Sequence, residues 1–270
     1  MFGAAYGDVI GSYYEWHSTK TYDFPFQFRS TFTDDTVLTA AVCEAILNHP
    51  DHLDEGQMHA RAIEYAALFR QYYSRYPNAG FGGMFQRWAK GGSFEAIKSY
   101  GNGAAMRVSP IGWAYDTLEQ TLFQAKASCM ITHYNKEAIY GAQAVASAIY
   151  LARHGENKTS IAKYIHNTFG YDLSKRLADI RPTYSFDSRS LYSVPPSIIA
   201  FLESEDYESA IRNAVSLGGD ADTMAAIAGG IAQAYYGEIP EHIKHFCDAR
   251  IDASLRMTIR KFEKNYNGKD

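Results

Sequence analysis

The chain has 270 residues, of which 46% are hydrophobic and 21% are charged. This composition supplies enough apolar residues for a sizeable core and excludes a disordered protein. The 26 basic and 30 acidic residues give a formal net charge of −4, and no long run of Lys or Arg occurs. We therefore expect neither general nucleic-acid binding nor attachment to an anionic membrane surface, because both need a basic patch.

The cysteines and the N-terminal segment bear on the compartment. Cys43, Cys129 and Cys247 are odd in number and widely spaced, which favours reduced core thiols over disulfides. The segment MFGAAYGDVIGSYYEW has an early acid, Asp8, and no basic region, so it does not resemble a signal peptide. No apolar run is long enough to cross a bilayer. We expect a cytoplasmic protein with no membrane partner.

Apolar residues recur at spacings of three and four along most of the chain, a pattern that predicts helices, whereas the alternation typical of strands is scarce. The predicted helices cover residues 34–48, 54–74, 117–131, 135–153, 158–168, 195–203, 206–217, 222–236 and 251–264. Glycine-rich or irregular joints are predicted at Ala79–Gly83, Gly91–Ser93, Gly101–Gly103 and Ala178–Val194.

Two predicted helices, Ala138–Ala152 and Met224–Tyr236, are small and apolar on almost every side. A helix of this kind is buried all round, and we expect both at the centre of a helical globule. They lie in opposite halves of the chain, and no flexible linker separates the halves. The prediction is an all-α fold in which residues 1–270 form a single-domain orthogonal helical bundle with two buried central helices.

Two short acidic motifs lie about 190 residues apart, each where a loop becomes an apolar helix. The first is Thr33-Asp34-Asp35-Thr36, and the second runs from Gly218 to Thr223 and contains Asp220 and Asp222. Helix capping explains either motif alone, because Asp and Thr accept hydrogen bonds from free amides at a helix start. A cap needs only one side chain, however, and each motif offers two carboxylates and a hydroxyl.

Four carboxylates brought together near a core would repel strongly unless they were neutralised. Carboxylate and hydroxyl ligands without thiolates or clustered imidazoles select Mg²⁺ or Mn²⁺ over Zn²⁺. If the two motifs meet in space, they therefore predict a site for hard divalent cations.

A third acidic pair lies near the N-terminus. On a helix Asp8 and Glu15, seven residues apart, face the same way. Gly7 and Gly11 indicate close packing of this helix against another. Taken alone, a glutamate such as Glu15 is more often a solvated residue at a helix end.

Several blocks together resemble the ADP-ribosylglycohydrolase family, in the family's order and over nearly the whole chain, from Gly3 to about Glu263. They are GAAYGDVIGSYYE, FTDDTVLTAAV, GNGAAMRVSPIG, ITHYNKEAIYGAQAVASAIYLA, VPPSIIAFLES and DYESAIRNAVSLGGDADTMAAIAGGIAQAYYG. Ala221 stands where Thr or Ser is common, and Phe186–Tyr192 looks individual to this chain.

The resemblance implies an all-α bundle with two bound Mg²⁺ or Mn²⁺ ions and assigns roles to particular residues. The implied metal ligands are Thr33, Asp34, Asp35, Asp220, Asp222 and Thr223. The implied substrate-binding residues are Ser99, Tyr100, Gly101, Asn102, Gly103 and His133. Glu15 matches a catalytic glutamate, and Asp35 is the second candidate for acid–base catalysis.

The implied activity is hydrolysis of the ribosyl C1″ bond of an ADP-ribosylated protein or a small ADP-ribose conjugate, with release of ADP-ribose. A non-catalytic ADP-ribose-binding or structural, crystallin-like protein on the same scaffold is the alternative, although such a protein would not need the full acid set. A Mg²⁺-dependent phosphohydrolase or kinase-like enzyme fits less well, because the chain has no P-loop lysine motif. The acceptor, the preferred cation and the oligomeric state stay open.

Overall fold

The computed structural model describes residues 1–49 and 55–266, and over these residues the regular structure is helical, with one isolated β-bridge between Gly101 and Arg189 and no strand. The α-helices are α1 (Gly3–Trp16), α2 (Asp34–Asn48), α3 (Met58–Arg75), α4 (Gly83–Lys90), α5 (Ser109–Ala114), α6 (Leu118–Cys129), α7 (Lys136–Arg153), α8 (Lys158–Phe169), α9 (Leu177–Ile180), α10 (Ser190–Leu202), α11 (Tyr207–Val215), α12 (Ala221–Tyr236), α13 (Glu241–Asp248) and α14 (Ala253–Tyr266). The all-α prediction is confirmed.

Most predicted helices occur with ends shifted by a few residues, although the predicted helix 54–74 begins outside the described residues. The clearest difference is α10, which begins at Ser190 rather than at residue 195, with Pro195 and Pro196 inside it. Proline supplies no backbone donor, so a helix that contains it leaves carbonyls of the preceding turn without their usual partner. One of these, the carbonyl of Tyr192, accepts a hydrogen bond from the Tyr184 hydroxyl at 3.0 Å.

The segment predicted to be irregular from Ala178 to Val194 therefore contains most of α9 and the start of α10. The Gly101–Gly103 joint runs into a 3₁₀ turn, Asn102–Ala104, and α5 begins only at Ser109. Short elements such as α4 and α13 were not predicted, because eight residues or fewer carry too little periodicity to separate a helix from a loop.

The centre of the core is α12, in which every residue from Ala221 to Ala234 is buried. The other predicted central helix, α7, contacts α12 and buries its Gly141–Ala142 and Ala144–Ile149 segments. The N-terminal helix α1 also packs along α12. Helices from both ends of the described chain thus share one apolar core. The three cysteines are unpaired and buried.

The contact between α1 and α12 is close because α1 presents glycines to it. A Cβ atom at Gly3, Gly7 or Gly11 would lie within 3.0 Å of a backbone carbonyl oxygen of α12. The packing predicted from Gly7 and Gly11 is confirmed. The approach brings the C-terminal end of α1 beside the N-terminal end of α12, and both of these ends face the first turn of α2.

No helix of the described residues has both the length and the apolar character that crossing a membrane requires.

Candidate active site

A cavity of about 430 Å³ opens where α1, α2 and α12 meet the loops before α4 and α5. All of the residues that the sequence predicts for the site line this cavity: Glu15, Thr33, Asp34, Asp35, Ser99, Tyr100, Gly101, Asn102, Gly103, His133, Asp220, Asp222 and Thr223. The tertiary fold thus brings the two acidic motifs, which lie about 190 residues apart in the sequence, to one cavity.

Asp8 holds the first acidic motif in place from the adjacent helix. It is fully buried, and its carboxylate accepts hydrogen bonds from the Thr33 hydroxyl at 2.8 Å and the Thr33 amide at 2.9 Å. The amide and hydroxyl of Thr36 also donate to it. With four donors on its two oxygens, Asp8 positions the start of α2.

The capping explanation fails for the acids of the first motif. Thr33 is the N-cap of α2, and its hydroxyl oxygen accepts the hydrogen bond from the Asp35 amide at 3.3 Å. Asp35 instead turns its carboxylate towards α12, where its Oδ2 accepts a hydrogen bond from the Thr223 hydroxyl at 3.3 Å. Its Oδ1 is buried without a hydrogen-bond partner among the described residues, an arrangement that is costly unless another ligand satisfies that oxygen.

The second motif is held by groups from elsewhere in the chain. Asp220 occupies the N-cap position of α12 but makes no capping hydrogen bond; its Oδ2 accepts from the Asn102 side-chain amide at 2.8 Å. Asp222 Oδ1 accepts from the Thr223 amide at 2.8 Å. The capping explanation therefore fails for Asp220 as well, and both aspartates face the cavity.

The assembled carboxylates repel one another strongly. Burial, followed by repulsion between neighbouring carboxylates, raises the pKa values of Asp34, Asp35 and Asp222 well above the usual aspartate range. Burial also raises the pKa of Asp220 to about 6. Across the described residues, none of these carboxylates forms an ion pair with a cationic side chain.

The donor set fits hard cations. Carboxylate oxygens of Asp8, Asp35 and Asp222 lie within 4.8 Å of one another, as do those of Glu15, Asp220 and Asp222. The two groups share Asp222, and Asp35, whose Oδ1 has no hydrogen-bond partner among the described residues, belongs to the first of them. Oxygen ligands without thiolate or imidazole suit Mg²⁺ or Mn²⁺.

Glu15 lies at the edge of this acidic site, in the last turn of α1. It is neither a fully solvated helix-end residue nor fully buried. Burial and repulsion from Asp222 raise its pKa to about 8. The solvated alternative for Glu15 is therefore wrong, and its carboxyl group faces both the acidic site and the open cavity.

The loop from Ser99 to Gly103 forms another wall of the cavity. Its conformation is fixed by residues just before and at the start of α10: the Asn102 backbone amide donates to the Ser188 carbonyl at 2.8 Å, and the Ser190 hydroxyl donates to the Gly101 carbonyl at 2.9 Å. Tyr100 and Phe186 expose 48% and 54% of their surface at the rim of the cavity. Part of the segment that looked individual in the sequence thus borders the site.

His133 and Arg107 complete the inner wall. A Cβ atom at Gly103 would lie 3.1 Å from His133 Nε2, so the glycine leaves that edge of the imidazole uncovered. Arg107 forms no salt bridge among the described side chains. The guanidinium is fully buried, stacks on the Phe69 ring at 4.2 Å, and donates to the Ser128 carbonyl and the Thr132 hydroxyl.

Several cavity residues were not predicted from the sequence. They are Leu38, Gly80, Gly82, Gly83, Met84, Phe85, Ile97, Met106, Arg107, Thr132, Phe186 and Ser188. Most belong to the loop before α4, to the first turn of α4 or to apolar positions of the core, and none of these types carries a chemical signature in the sequence. The Gly80–Gly83 cluster was the one available signal, because glycines in a joint allow close approach of a ligand.

The sequence model of the ADP-ribosylglycohydrolase family matches residues 1–266. The chain belongs to this family. Among its curated relatives, the ADP-ribosylhydrolase ARH3 of Homo sapiens is 25% identical over 98% of this chain and 93% of its own length. The ARH3 protein of Xenopus tropicalis is 26% identical over 88% of this chain and 86% of its own length.

A solved structure titled "ADP-ribosylglycohydrolase-related protein complex" shares the fold of this family member. It superposes with a TM-score of 0.65 at 24% identity and covers 95% of each chain. The ADP-ribosylglycohydrolase fold explains why motifs from opposite halves of the chain meet, because α1, α2 and α12 converge at one end of the core.

Proposed function

We propose that this ADP-ribosylglycohydrolase is a metal-dependent hydrolase that cleaves the ribosyl C1″ bond of an ADP-ribosylated protein or a small ADP-ribose conjugate and releases ADP-ribose. Family membership supports ADP-ribosyl hydrolysis in general terms. The observation that carries the metal dependence is the group of buried carboxylates with no cationic partner among the described side chains and with one orphaned oxygen, Asp35 Oδ1.

The residues that would hold two Mg²⁺ or Mn²⁺ ions are Thr33, Asp34, Asp35, Asp220, Asp222 and Thr223. Bound ions would supply positive charge to neutralise the carboxylates and Lewis acidity to orient and polarise the distal ribose. Asp8 keeps Thr33 and the first turn of α2 in register, and Asn102 orients Asp220. Both act by fixing the geometry of the ligand set.

Glu15 is our candidate for proton transfer, because its carboxyl group borders both the acidic site and the open cavity. Cleavage at C1″ passes through an oxocarbenium-like state, in which the departing group needs a proton and the attacking water must lose one. A carboxyl group beside the anomeric carbon can serve in either step. Asp35 is the second candidate, but it lies deeper and is fixed by the Thr223 hydroxyl.

The remaining wall suits the rest of ADP-ribose. Glycines at positions 101 and 103 allow the chain to approach a diphosphate closely, and His133 lies behind them. We propose that the adenine ring stacks on Tyr100 or Phe186, the exposed aromatic side chains of the cavity rim. These residues, with Ser99 and Asn102, form the proposed substrate-binding wall.

The decisive experiment is a turnover panel with arginine-linked, serine-linked and small-ester ADP-ribose substrates, with and without Mg²⁺ or Mn²⁺. We expect metal-dependent release of free ADP-ribose from at least one substrate. Asp34→Ala should abolish this release, whereas Asp116→Ala, which removes an exposed carboxylate outside the site, should not. ADP-ribose binding without turnover on any substrate would favour a non-catalytic reader, and release of phosphate would favour a phosphohydrolase.

The role of Glu15 is tested by Glu15→Gln, which keeps the shape of the side chain but removes its acid–base function. We expect kcat to fall by about 10²–10⁴-fold, the usual contribution of a general acid or base, with little change in KM. Glu156→Gln, at an exposed glutamate outside the cavity, is the matched control. Nearly full turnover in Glu15→Gln would assign the proton transfer to another group.

A further inference from the structure

The buried Arg107 forms the start of a hydrogen-bond chain that ends at the cavity. Its Nη2 donates to the Thr132 hydroxyl oxygen at 2.7 Å, and that oxygen lies 2.9 Å from His133 Nδ1. Arg107 and Thr132 have no exposed surface, and His133 exposes 6%. None of the metal-ligand candidates belongs to this hydrogen-bond chain.

The direction of each hydrogen bond follows from the chemistry of the groups. A guanidinium only donates, so the Thr132 oxygen must accept from Arg107. The hydroxyl proton is then free to donate, and His133 Nδ1 is the one further polar atom of the described residues that bonds to this oxygen. If Nδ1 carried the proton instead, the buried hydroxyl proton would lack an acceptor, at a cost of about 1–3 kcal/mol.

We propose that Arg107 and Thr132 are positioning residues that hold His133 as the neutral tautomer with its proton on Nε2, so that the histidine offers a fixed N–H donor to an acceptor oxygen of the ligand. Gly103 supports this arrangement, because a side chain there would cover Nε2. An imidazole held in this way binds substrate but does not transfer protons. The identity of the ligand as ADP-ribose rests on the proposed function. The assignment of the His133 tautomer does not.

The electrostatics of the site agree with a neutral ring. Burial, with a smaller contribution from repulsion by Arg107, holds the pKa of His133 well below its usual value. Arg107 itself remains cationic, because burial lowers its pKa only to about 10. The stacking of its guanidinium on Phe69 at 4.2 Å partly replaces the hydration that the cation has lost.

The direct test is the ¹⁵N spectrum of the full chain labelled at histidine, recorded at neutral pH without ligand. The His133 signals are assigned by their loss in His133→Gln. We expect Nδ1 to show the shift of a bare, pyridine-like nitrogen and Nε2 that of a protonated, pyrrole-like nitrogen. A proton on Nδ1, or on both nitrogens, overturns the proposal. This measurement needs no substrate, so it stands or falls separately from the enzymatic activity.

A pair of variants tests how the tautomer is held. Thr132→Ser keeps the hydroxyl and should keep both the ¹⁵N pattern and the affinity for ADP-ribose. Thr132→Val keeps the shape but removes the hydroxyl, and we expect a mixture of tautomers and about tenfold weaker binding of ADP-ribose, as for one lost hydrogen bond in a buried site. A Val variant with the wild-type pattern and affinity overturns the positioning role. Wild-type protein with the expected tautomer but no affinity for ADP-ribose would refute the proposed function alone.

Discussion

At the residue scale, Asp8 is a supporting residue whose role is not visible in the sequence motifs. Its side chain accepts four hydrogen bonds from Thr33 and Thr36 and is buried beneath the first acidic motif. The sequence indicated that Asp8 shares a helix face with Glu15, but not that it supports the motif. Burial raises the pKa of Asp8 to about 6, against the opposing effect of its four donors.

This support predicts a stability effect at Thr36, which is fully buried. Thr36→Val removes the hydroxyl that donates to Asp8 while keeping the side-chain shape, and we expect the free energy of unfolding to fall by about 1.5–3 kcal/mol, the range for a hydrogen bond to a charged group. Thr36→Ser, which retains the donor, should lose less. Denaturant unfolding of both variants measures this difference, and equal losses would mean that packing of the methyl group dominates.

At the element scale, the contact between α1 and α12 determines the site. Asp8 in the middle of α1 binds the start of α2, and Gly11, one turn later, lies against Ala221 at the start of α12. One helix therefore fixes both acidic motifs relative to each other. The glycines of α1 are needed for this contact because backbone atoms of α12, rather than side chains, occupy the space where a Cβ atom would lie.

Gly7→Ala tests this contact. The added methyl group would press on the Ala225 carbonyl of α12, and backbone cannot move aside as a flexible side chain can. We expect a loss of about 3 kcal/mol or more, at the upper end for overpacking, together with weaker binding of divalent cations because the two motifs are forced apart. Gly92→Ala is the control, because no atom lies within 4 Å of a Cβ there. Similar melting temperatures for the two variants would contradict the close contact.

At the scale of the whole molecule, folding brings mutually repelling carboxylates together in the acidic site. A carboxyl group whose pKa is raised on folding binds its proton more tightly in the folded state than in the unfolded state. Its contribution to stability is therefore present below the unfolded pKa and is lost as the pH rises through the folded pKa. For Glu15 this window runs from the ordinary glutamate pKa of 4.5 to its raised pKa of about 8.

We therefore expect the stability of the protein, measured in a chelator, to fall between about pH 6 and pH 8. The stability of Glu15→Gln should fall less over the same pH range, because this variant lacks one titrating group. Mg²⁺ or Mn²⁺ at millimolar concentration should raise the melting temperature, and more at pH 8 than at pH 6, since the ions compete with protons for the same oxygens. Melting curves at both pH values measure this. A chelated wild type that loses no more stability than Glu15→Gln over this pH range would refute the raised pKa assigned to Glu15.

Both halves of the chain contribute to this site, and we propose that residues 1–270 form one domain. Helix α1 at the start of the chain packs on α12 near its end, and α14 packs on α2. The acidic site and the apolar core each contain residues from both halves of the chain.

The sequence by itself determined the helical class, the two central helices and the acidic residues of the candidate site, because hydrophobic periodicity and paired acids are local signals. It also named every acid that borders the cavity. Only the tertiary structure decided that the motifs meet, that Thr33 rather than an aspartate caps α2, and that Asp8, Arg107 and Thr132 support the site. The physical reason is that hydrophobic periodicity shows on which face of a helix a residue lies, but not which distant residue it contacts. The partner that satisfies a buried charge or hydroxyl comes from a distant part of the chain, and only packing brings it there.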